Sequence, residues 1–80
     1  MEFQKEVVFL GTKEMKLRDG TVLVTITFFV DGSSVEVYVQ ATNEAVMSVV
    51  KSLKFADTCT VTFALRKTDK LYKLSIAAIA

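Results

Sequence analysis

The sequence predicts a mainly β protein with one helix, in the order β-β-β-α-β-β. Twenty-four of its 80 residues are Val, Ile or Thr, and these branched side chains favour strands. Asp-Gly pairs at 19–20 and 31–32 separate alternating apolar runs, which is the strongest short-range signal for a β-hairpin. Only residues 41–55 show apolar residues at helical spacing. Eighty residues support one small core, so residues 1–80 are expected to form a single domain.

The predicted elements follow one another without a linker or a repeat. They are strands 5–17, 21–30 and 33–40, a helix over 42–55, and strands 58–67 and 70–79.

The helix is predicted from one apolar stripe and from its ends. The stripe consists of Val46, Val49, Val50 and Leu53, spaced i, i+3, i+4 and i+7. Thr42 or Asn43 can cap the N-terminus, Glu44 lies in the first turn, and Lys51 and Lys54 lie in the last, all of which favour a helix here.

The second and third strands can be paired from the sequence. A two-residue turn at Asp31-Gly32 places Phe28 opposite Val35 and Ile26 opposite Val37, so apolar residues meet apolar partners. A turn at Thr68-Asp69 gives the last hairpin the same consistency by pairing Phe63 with Leu74. Both registers are therefore predicted in full.

The first hairpin cannot keep a single register. A turn at Asp19-Gly20 pairs Met15 with Val24, but its continuation places Lys13 opposite the core residue Ile26. Gly11 interrupts an apolar stretch, and glycine inside a strand often marks a bulge. We therefore expect a bulge or bend at Gly11.

Three meandering strands with a bent first strand, then a helix and a closing hairpin, resemble the OB-fold, a five-stranded partly open barrel. Other small barrels, SH3-like ones included, compete, and the helix between strands three and four favours the OB-fold. In size and strand order the chain is similar to small single-stranded-DNA-binding proteins of phages and conjugative elements. This architectural resemblance covers the whole chain. It implies a five-stranded OB-like barrel that serves replication, recombination or transfer of a mobile element.

The OB-fold places its oligonucleotide or oligosaccharide platform on the outer face of strands two and three. Phe29 and Tyr38 lie on that predicted face and are expected to stack bases, with Thr25 and Thr27 lining the floor. Glu36 lies between the two rings and opposes a phosphate chain. The alternative is that the rings pack against another subunit or against cross-strand neighbours.

Positive charge is concentrated at the first and the last predicted hairpin, although the net charge of the chain is only +1. The loops of the corresponding OB hairpins flank the binding groove, so the basic residues there are predicted to hold phosphates. They are Lys16, Arg18, Arg66, Lys67, Lys70 and Lys73. Tyr72 is expected either to cap the core or to stack on a base. The alternative is that the lysines only keep the sheet edge from pairing with other sheets.

Apolar residues remain outside the predicted barrel. Leu71, Ala77 and Ile79 fall on the outer face of the last strand, and grouped exposed apolar residues tend to mark contacts. They predict a homo-oligomer, and a frayed C-terminal strand is the alternative.

Catalysis is not expected. The chain has no His and one Cys, so histidine bases, the usual zinc sites and an internal disulfide are excluded. Cys59 alternates with Val61 and Phe63 on the inward face, which is typical of a buried small hydrophobe. No paired carboxylates occur at acid–base or metal spacing, so no metal and no cofactor are predicted.

The sequence also limits where and with what the protein works. Its longest stretch without a charged residue, residues 21–30, is too short for a membrane span. We expect no signal peptide, because residues 1–6 are of mixed charge without an apolar run. We expect a cytoplasmic protein whose partner is single-stranded nucleic acid, DNA before RNA, read with little sequence preference. A larger replication or transfer complex is a further expected partner. The competing interpretation is a protein-interaction module or assembly subunit of a larger complex, which the near-neutral charge favours.

Overall fold

A computed structural model describes residues 1–67 and 69–80. Its elements are β1 (Glu2–Lys16), β2 (Val22–Val30), β3 (Ser33–Gln40), α1 (Glu44–Val50), β4 (Thr58–Lys67) and β5 (Tyr72–Ile79). The strands form one antiparallel sheet in the order β3-β2-β1-β4-β5, curled into a half-barrel. The predicted fold class and element order are confirmed.

β1 is the central strand and serves two partners with its two halves. Residues 2–8 pair with β4, and residues 8–16 pair with β2. The register shifts between Phe9 and Gly11, where Gly11 has a φ of 145°. This bulge confirms the break predicted at Gly11. It bends β1 so that one strand can join both halves of the half-barrel.

The core lies on the concave face of the sheet. Three aromatic rings form its centre, with Phe28 in edge-to-face contact with both Phe9 and Phe63 at centroid distances of 6.3 and 6.2 Å. The remaining buried hydrophobic residues surround them: Val7, Val24, Ile26, Val37, Val39, Val46, Val50, Cys59 and Val61.

The β2–β3 hairpin has the predicted register throughout. Phe28 pairs with Val35 and Ile26 with Val37. Asp31 and Gly32 have positive φ angles of 49° and 84°, as the mirror-image two-residue turn requires. The outer faces of β2 and β3 are therefore aligned as expected.

The β1–β2 register is shifted by one residue from the prediction. Glu14, not Met15, pairs with Val24. The Leu17 amide donates to the carbonyl oxygen of Thr21 at 2.7 Å, so the loop contains three residues, 18–20. Gly20, with φ 91°, takes the left-handed position that ends such a loop. Asp19-Gly20 thus forms the end of a three-residue loop and not a two-residue turn.

The β4–β5 register is shifted by two residues. Phe63 pairs with Ile76 and not with Leu74. The predicted turn at Thr68-Asp69 falls partly outside the described residues, since Thr68 is not among them. A second register shift, at Thr62/Phe63, pairs Val61 with Ile79. Ile79 therefore packs against the core, and its predicted place on the outer face is wrong.

The helix is shorter than predicted and spans two turns. Asn43 caps it, with the Val46 amide donating to the Asn43 Oδ1 at 3.4 Å. After Val50 the amides of Ser52 and Leu53 bond three residues back, which tightens the chain into a turn. Lys51 and Lys54 consequently follow the helix and do not lie in its last turn.

Candidate nucleic-acid interface

The outer face of β2 and β3 presents the two predicted stacking rings. Phe29 is 43% exposed and Tyr38 is 57% exposed. Tyr38 lies opposite Thr25, and Glu36 lies opposite Thr27. Thr25 is almost fully buried, so Thr27 supplies more of the accessible floor than Thr25 does.

The two rings are separated along the sheet. Phe29 is four residues from Thr25, the partner of Tyr38, which corresponds to about 13 Å along a strand. Phe29 lies beside Val8 and the turn at residues 31–32, and a salt bridge at this end joins the Lys5 Nζ to the Asp31 Oδ2 at 2.8 Å. The face therefore offers two distinct ring positions.

A cleft of about 750 Å³ opens where the two edges of the sheet approach each other. No ladder joins β3 to β5 in the part of the chain that the structure describes. We call this opening the seam cleft. It is lined by Glu36, Tyr38, Gln40, Arg66, Lys73, Leu74 and Ser75. Tyr38, Arg66 and Lys73, predicted from three different strands, are thus brought together, whereas Phe29 lies outside the cleft.

Two cations line the seam cleft. Arg66 and Lys73 lie directly opposite each other on β4 and β5, and like charges in this position destabilise a sheet. Within residues 1–67 and 69–80, neither forms an ion pair. Glu36 is the one carboxylate in the lining, so the cleft suits an anionic ligand.

A second, smaller cleft continues from the first. Its lining contains Gly20, Thr21, Val22, Gln40, Ala41 and Thr42. Because Gln40 lines both clefts, the groove extends from the β4–β5 hairpin to the loop at residues 18–20. The Thr21 amide donates to the Asp19 Oδ1 at 2.9 Å in that loop. This hydrogen bond lowers the pKa of the Asp19 carboxyl.

The other predicted phosphate contacts surround this groove without lining it. Arg18 is exposed in the loop at residues 18–20 and Lys16 is exposed at the end of β1, while Lys67 and Lys70 are exposed at the β4–β5 hairpin. Tyr72 pairs with Lys67 and is 65% exposed, so it does not cap the core.

The predicted apolar contact is reduced to two residues. Leu71 and Ala77 are exposed, while Ile79 packs against the core. Phe3, which precedes the predicted first strand, stacks on Phe63 at 5.5 Å. The exposed apolar surface on the last strand is therefore smaller than the sequence indicates.

Gln40 and Ser75 are polar groups in the seam cleft that sequence reasoning missed. Alternation along β3 places Gln40 on the same face as Tyr38, so this signal was present. Alternation along β5 likewise places Ser75 on the same face as Lys73. The two-residue register shift in β5 leaves that face unchanged.

Cys59 is not placed for chemistry. The side chain is buried, and burial raises the pKa of the thiol, with the negative charge of Asp57 adding to the rise. A thiol held in its neutral form is a poor nucleophile.

The described residues contain no group of three or more Cys, Asp or Glu that could hold a metal ion. They also contain no helix with the length and apolarity needed to cross a membrane.

Comparison of the chain with known protein families, with curated proteins and with solved structures gave no match.

Proposed function

We propose that the protein binds single-stranded nucleic acid through the seam cleft, without catalysis and with little sequence preference. The observation that carries this proposal is the meeting of an exposed ring, Tyr38, with two cations, Arg66 and Lys73, that form no ion pair among the described residues. Aromatic faces and positive charge are the two components by which proteins hold a single strand. The preference for DNA, and the setting in replication, recombination or transfer of a mobile element, rest on the architectural resemblance.

The geometry suggests how a strand would lie. A base stacks on Tyr38 while Arg66 and Lys73 contact the adjoining phosphates. The backbone continues along the groove past Gln40 toward Arg18 in one direction and toward Lys70 in the other. Stacking does not read the identity of a base, so this arrangement tolerates any sequence.

The low net charge sets a condition on binding. With a net charge of +1, the attraction is local to the groove. Salt weakens it in proportion to the number of phosphate contacts, because counterions are released from the strand. Several copies on one strand would add avidity. We propose that the protein acts as a homo-oligomer, with the exposed side chains of Leu71 and Ala77 at the contact.

Fluorescence anisotropy of a labelled oligothymidine at ~50 and ~200 mM salt tests the proposal directly. We expect saturable binding that weakens with salt. Tyr38→Ala should lower the affinity about fivefold or more, since one stacked base contributes ~1–3 kcal/mol. Arg66→Gln with Lys73→Gln should reduce the slope of log K against log salt by about 1.4, or ~0.7 for each lost phosphate contact.

Phe29→Ala is the matched control, because Phe29 is an exposed ring of the same sheet face outside the cleft. It should cost less affinity than Tyr38→Ala. An unchanged slope in the double variant would reject Arg66 and Lys73 as phosphate contacts. Absence of binding at the lower salt would reject nucleic-acid binding itself. The interaction-module hypothesis would then lead, since Leu71 and Ala77 are exposed on a chain of near-neutral charge.

A further inference from the structure

The turn that follows α1 displays the most exposed aromatic ring of the chain. Phe55 is 74% exposed, more than either ring of the β2–β3 face. It lies in residues 54–57, which we call the Phe55 turn. None of these residues lines the seam cleft. A single exposed apolar side chain is ordinary on a protein surface, but this one is held in an unusual way.

The backbone of the Phe55 turn is fixed on both sides of the ring. The Ala56 amide donates to the Phe9 carbonyl oxygen at 2.8 Å, and the Phe9 amide donates to the Asp57 carbonyl oxygen at 2.8 Å. The Lys54 amide donates to the Asp57 Oδ2 at 2.8 Å. These bonds attach the turn to the bent part of β1, so the ring is held on a rigid base.

Ala56 adopts a conformation that is costly for its residue type. Its φ is +71°, in the left-handed region that alanine enters at a cost of ~1–2 kcal/mol. Asp31 is the one other non-glycine residue with positive φ in the described part of the chain. Such strain persists only where surrounding bonds enforce it, and it often accompanies function. Here the strained residue directly follows the exposed ring of Phe55.

Two lysines accompany the ring. Lys51 and Lys54 are exposed, and neither forms an ion pair within the described residues. The carboxylate of the turn, Asp57, already accepts the Lys54 amide. Lysine is depleted in protein–protein interfaces, whereas an ammonium beside a ring is suited to a nucleotide, with its phosphate and its base.

We propose that the Phe55 turn is a second contact for single-stranded nucleic acid, in which Phe55 stacks a base and Lys51 and Lys54 contact phosphates. This inference rests on the proposed function and extends it. The turn is bonded to Phe9 at the bend of β1 and lies outside the seam cleft, so we expect a strand to need more length to contact both sites than to fill the cleft alone.

The test compares two oligothymidines, of about 5 and about 16 nucleotides, which represent the range of site sizes of OB domains. We expect Phe55→Ala to lower the affinity for the longer strand about fivefold or more and to leave the affinity for the shorter strand unchanged. Lys51→Gln with Lys54→Gln should reduce the salt slope for the longer strand alone, by about 1.4. Because the three side chains are exposed, these variants should fold normally, which thermal unfolding checks.

A fluorescent reporter separates the two sites. The chain contains no tryptophan, so Phe55→Trp and Tyr38→Trp each introduce a single probe. Emission from Tyr38→Trp should be quenched by both strands, and emission from Phe55→Trp by the longer strand alone. Phe55→Trp should also retain the wild-type affinity, because it keeps an aromatic face.

The outcomes distinguish this inference from the function on which it rests. If Tyr38→Trp responds while Phe55→Ala binds the longer strand as tightly as the wild type, the Phe55 turn is not a contact and the seam cleft stands. If Phe55→Ala alters the sedimentation coefficient of the protein but not its affinity, the ring docks on protein and the inference is wrong. If no oligothymidine binds the wild type, both proposals fail.

Discussion

The bend of β1 and the seam between β3 and β5 join the same two halves of the sheet in opposite ways. At the bend, backbone ladders continue on either side of the bulge and large apolar side chains fill the interior. At the seam no ladder forms among the described residues, and the opening is lined by Arg66 and Lys73, two like charges that face each other on the neighbouring β4–β5 ladder. The first region stabilises the half-barrel, whereas the second, in the described residues, leaves two strand edges without a ladder and two cations without an ion pair. Unpaired groups of this kind are where a ligand can add the missing interactions.

The largest expected effect is on stability and comes from the first region. Phe28→Ala removes the ring that contacts both Phe9 and Phe63 and should lower the free energy of unfolding by ~3–5 kcal/mol. Tyr38→Ala at the seam should change it by less than ~0.5 kcal/mol. Chemical denaturation of both variants measures the difference. Similar losses in the two would mean that the seam also supports the fold.

A smaller loss is expected at the bulge itself. Gly11→Val should lower the free energy of unfolding by ~1–3 kcal/mol, because its φ of 145° strains any residue with a side chain. A Cβ at residue 11 would meet no atom within 4 Å beyond its chain neighbours, so the loss reflects backbone conformation and not crowding. Lys13→Val, at an exposed position of the same strand, is the control and should change stability little. A tolerated valine at Gly11 would show that the bend does not depend on glycine.

The seam should respond to Arg66→Gln with opposite signs in stability and binding. Removing one of two facing cations should raise the free energy of unfolding by ~0.2–1 kcal/mol, while oligothymidine affinity falls. Lys16→Gln is the matched control, since Lys16 pairs with the uncharged Val22, and it should not raise stability. A loss of stability in Arg66→Gln would show that the facing cations do not repel each other appreciably.

The smallest effect is expected at the loop that ends the groove. The Thr21 amide lowers the pKa of Asp19 below its ordinary value of 3.8, so the folded state favours the ionised carboxylate. The resulting contribution of Asp19 to the free energy of unfolding is fully present above pH 3.8. It is lost as the pH falls through the lowered pKa that the carboxyl has in the folded protein. The midpoint of denaturation of Asp19→Ala should therefore lie below that of the wild type at pH 7 and converge with it in acid. Asp19→Asn keeps a neutral acceptor and should show a weaker pH dependence of the difference.

Alternation and turn chemistry account for the part of the fold that the sequence predicted. The Asp31-Gly32 turn could be counted because both central residues adopt positive φ, and the β2–β3 register followed from it. Asp19-Gly20 contains the same residue pair but closes a three-residue loop. The Asp-Gly pair alone does not show whether a third residue, here Arg18, belongs to the loop. For this reason the predicted β1–β2 register was displaced by one residue.

The sequence predicted on which strand each residue of the candidate site lies, but not which of these residues meet in one cleft. The sequence placed Tyr38 on one face of β3 and Arg66 and Lys73 on the last hairpin. That these three share a cleft depends on the curl of the sheet, which arises from many small twists and from the bulge in β1. Phe55 was missed because residues 42–55 were interpreted as a single helix. Its position outside the apolar stripe was the available signal.

The pairing of the first half of β1 also determines the order in which the chain can fold during synthesis. Phe3 pairs with Phe63, sixty residues later, whereas the second half of β1 finds its partner in the adjacent strand. On the ribosome, the β1–β2–β3 meander can therefore form early. Residues 2–8 lack their partner strand until β4 has been synthesised. Contacts of such sequence separation slow folding. Residues 2–8 carry three charged side chains, those of Glu2, Lys5 and Glu6. Charged side chains on an unpaired strand discourage its pairing with other nascent chains.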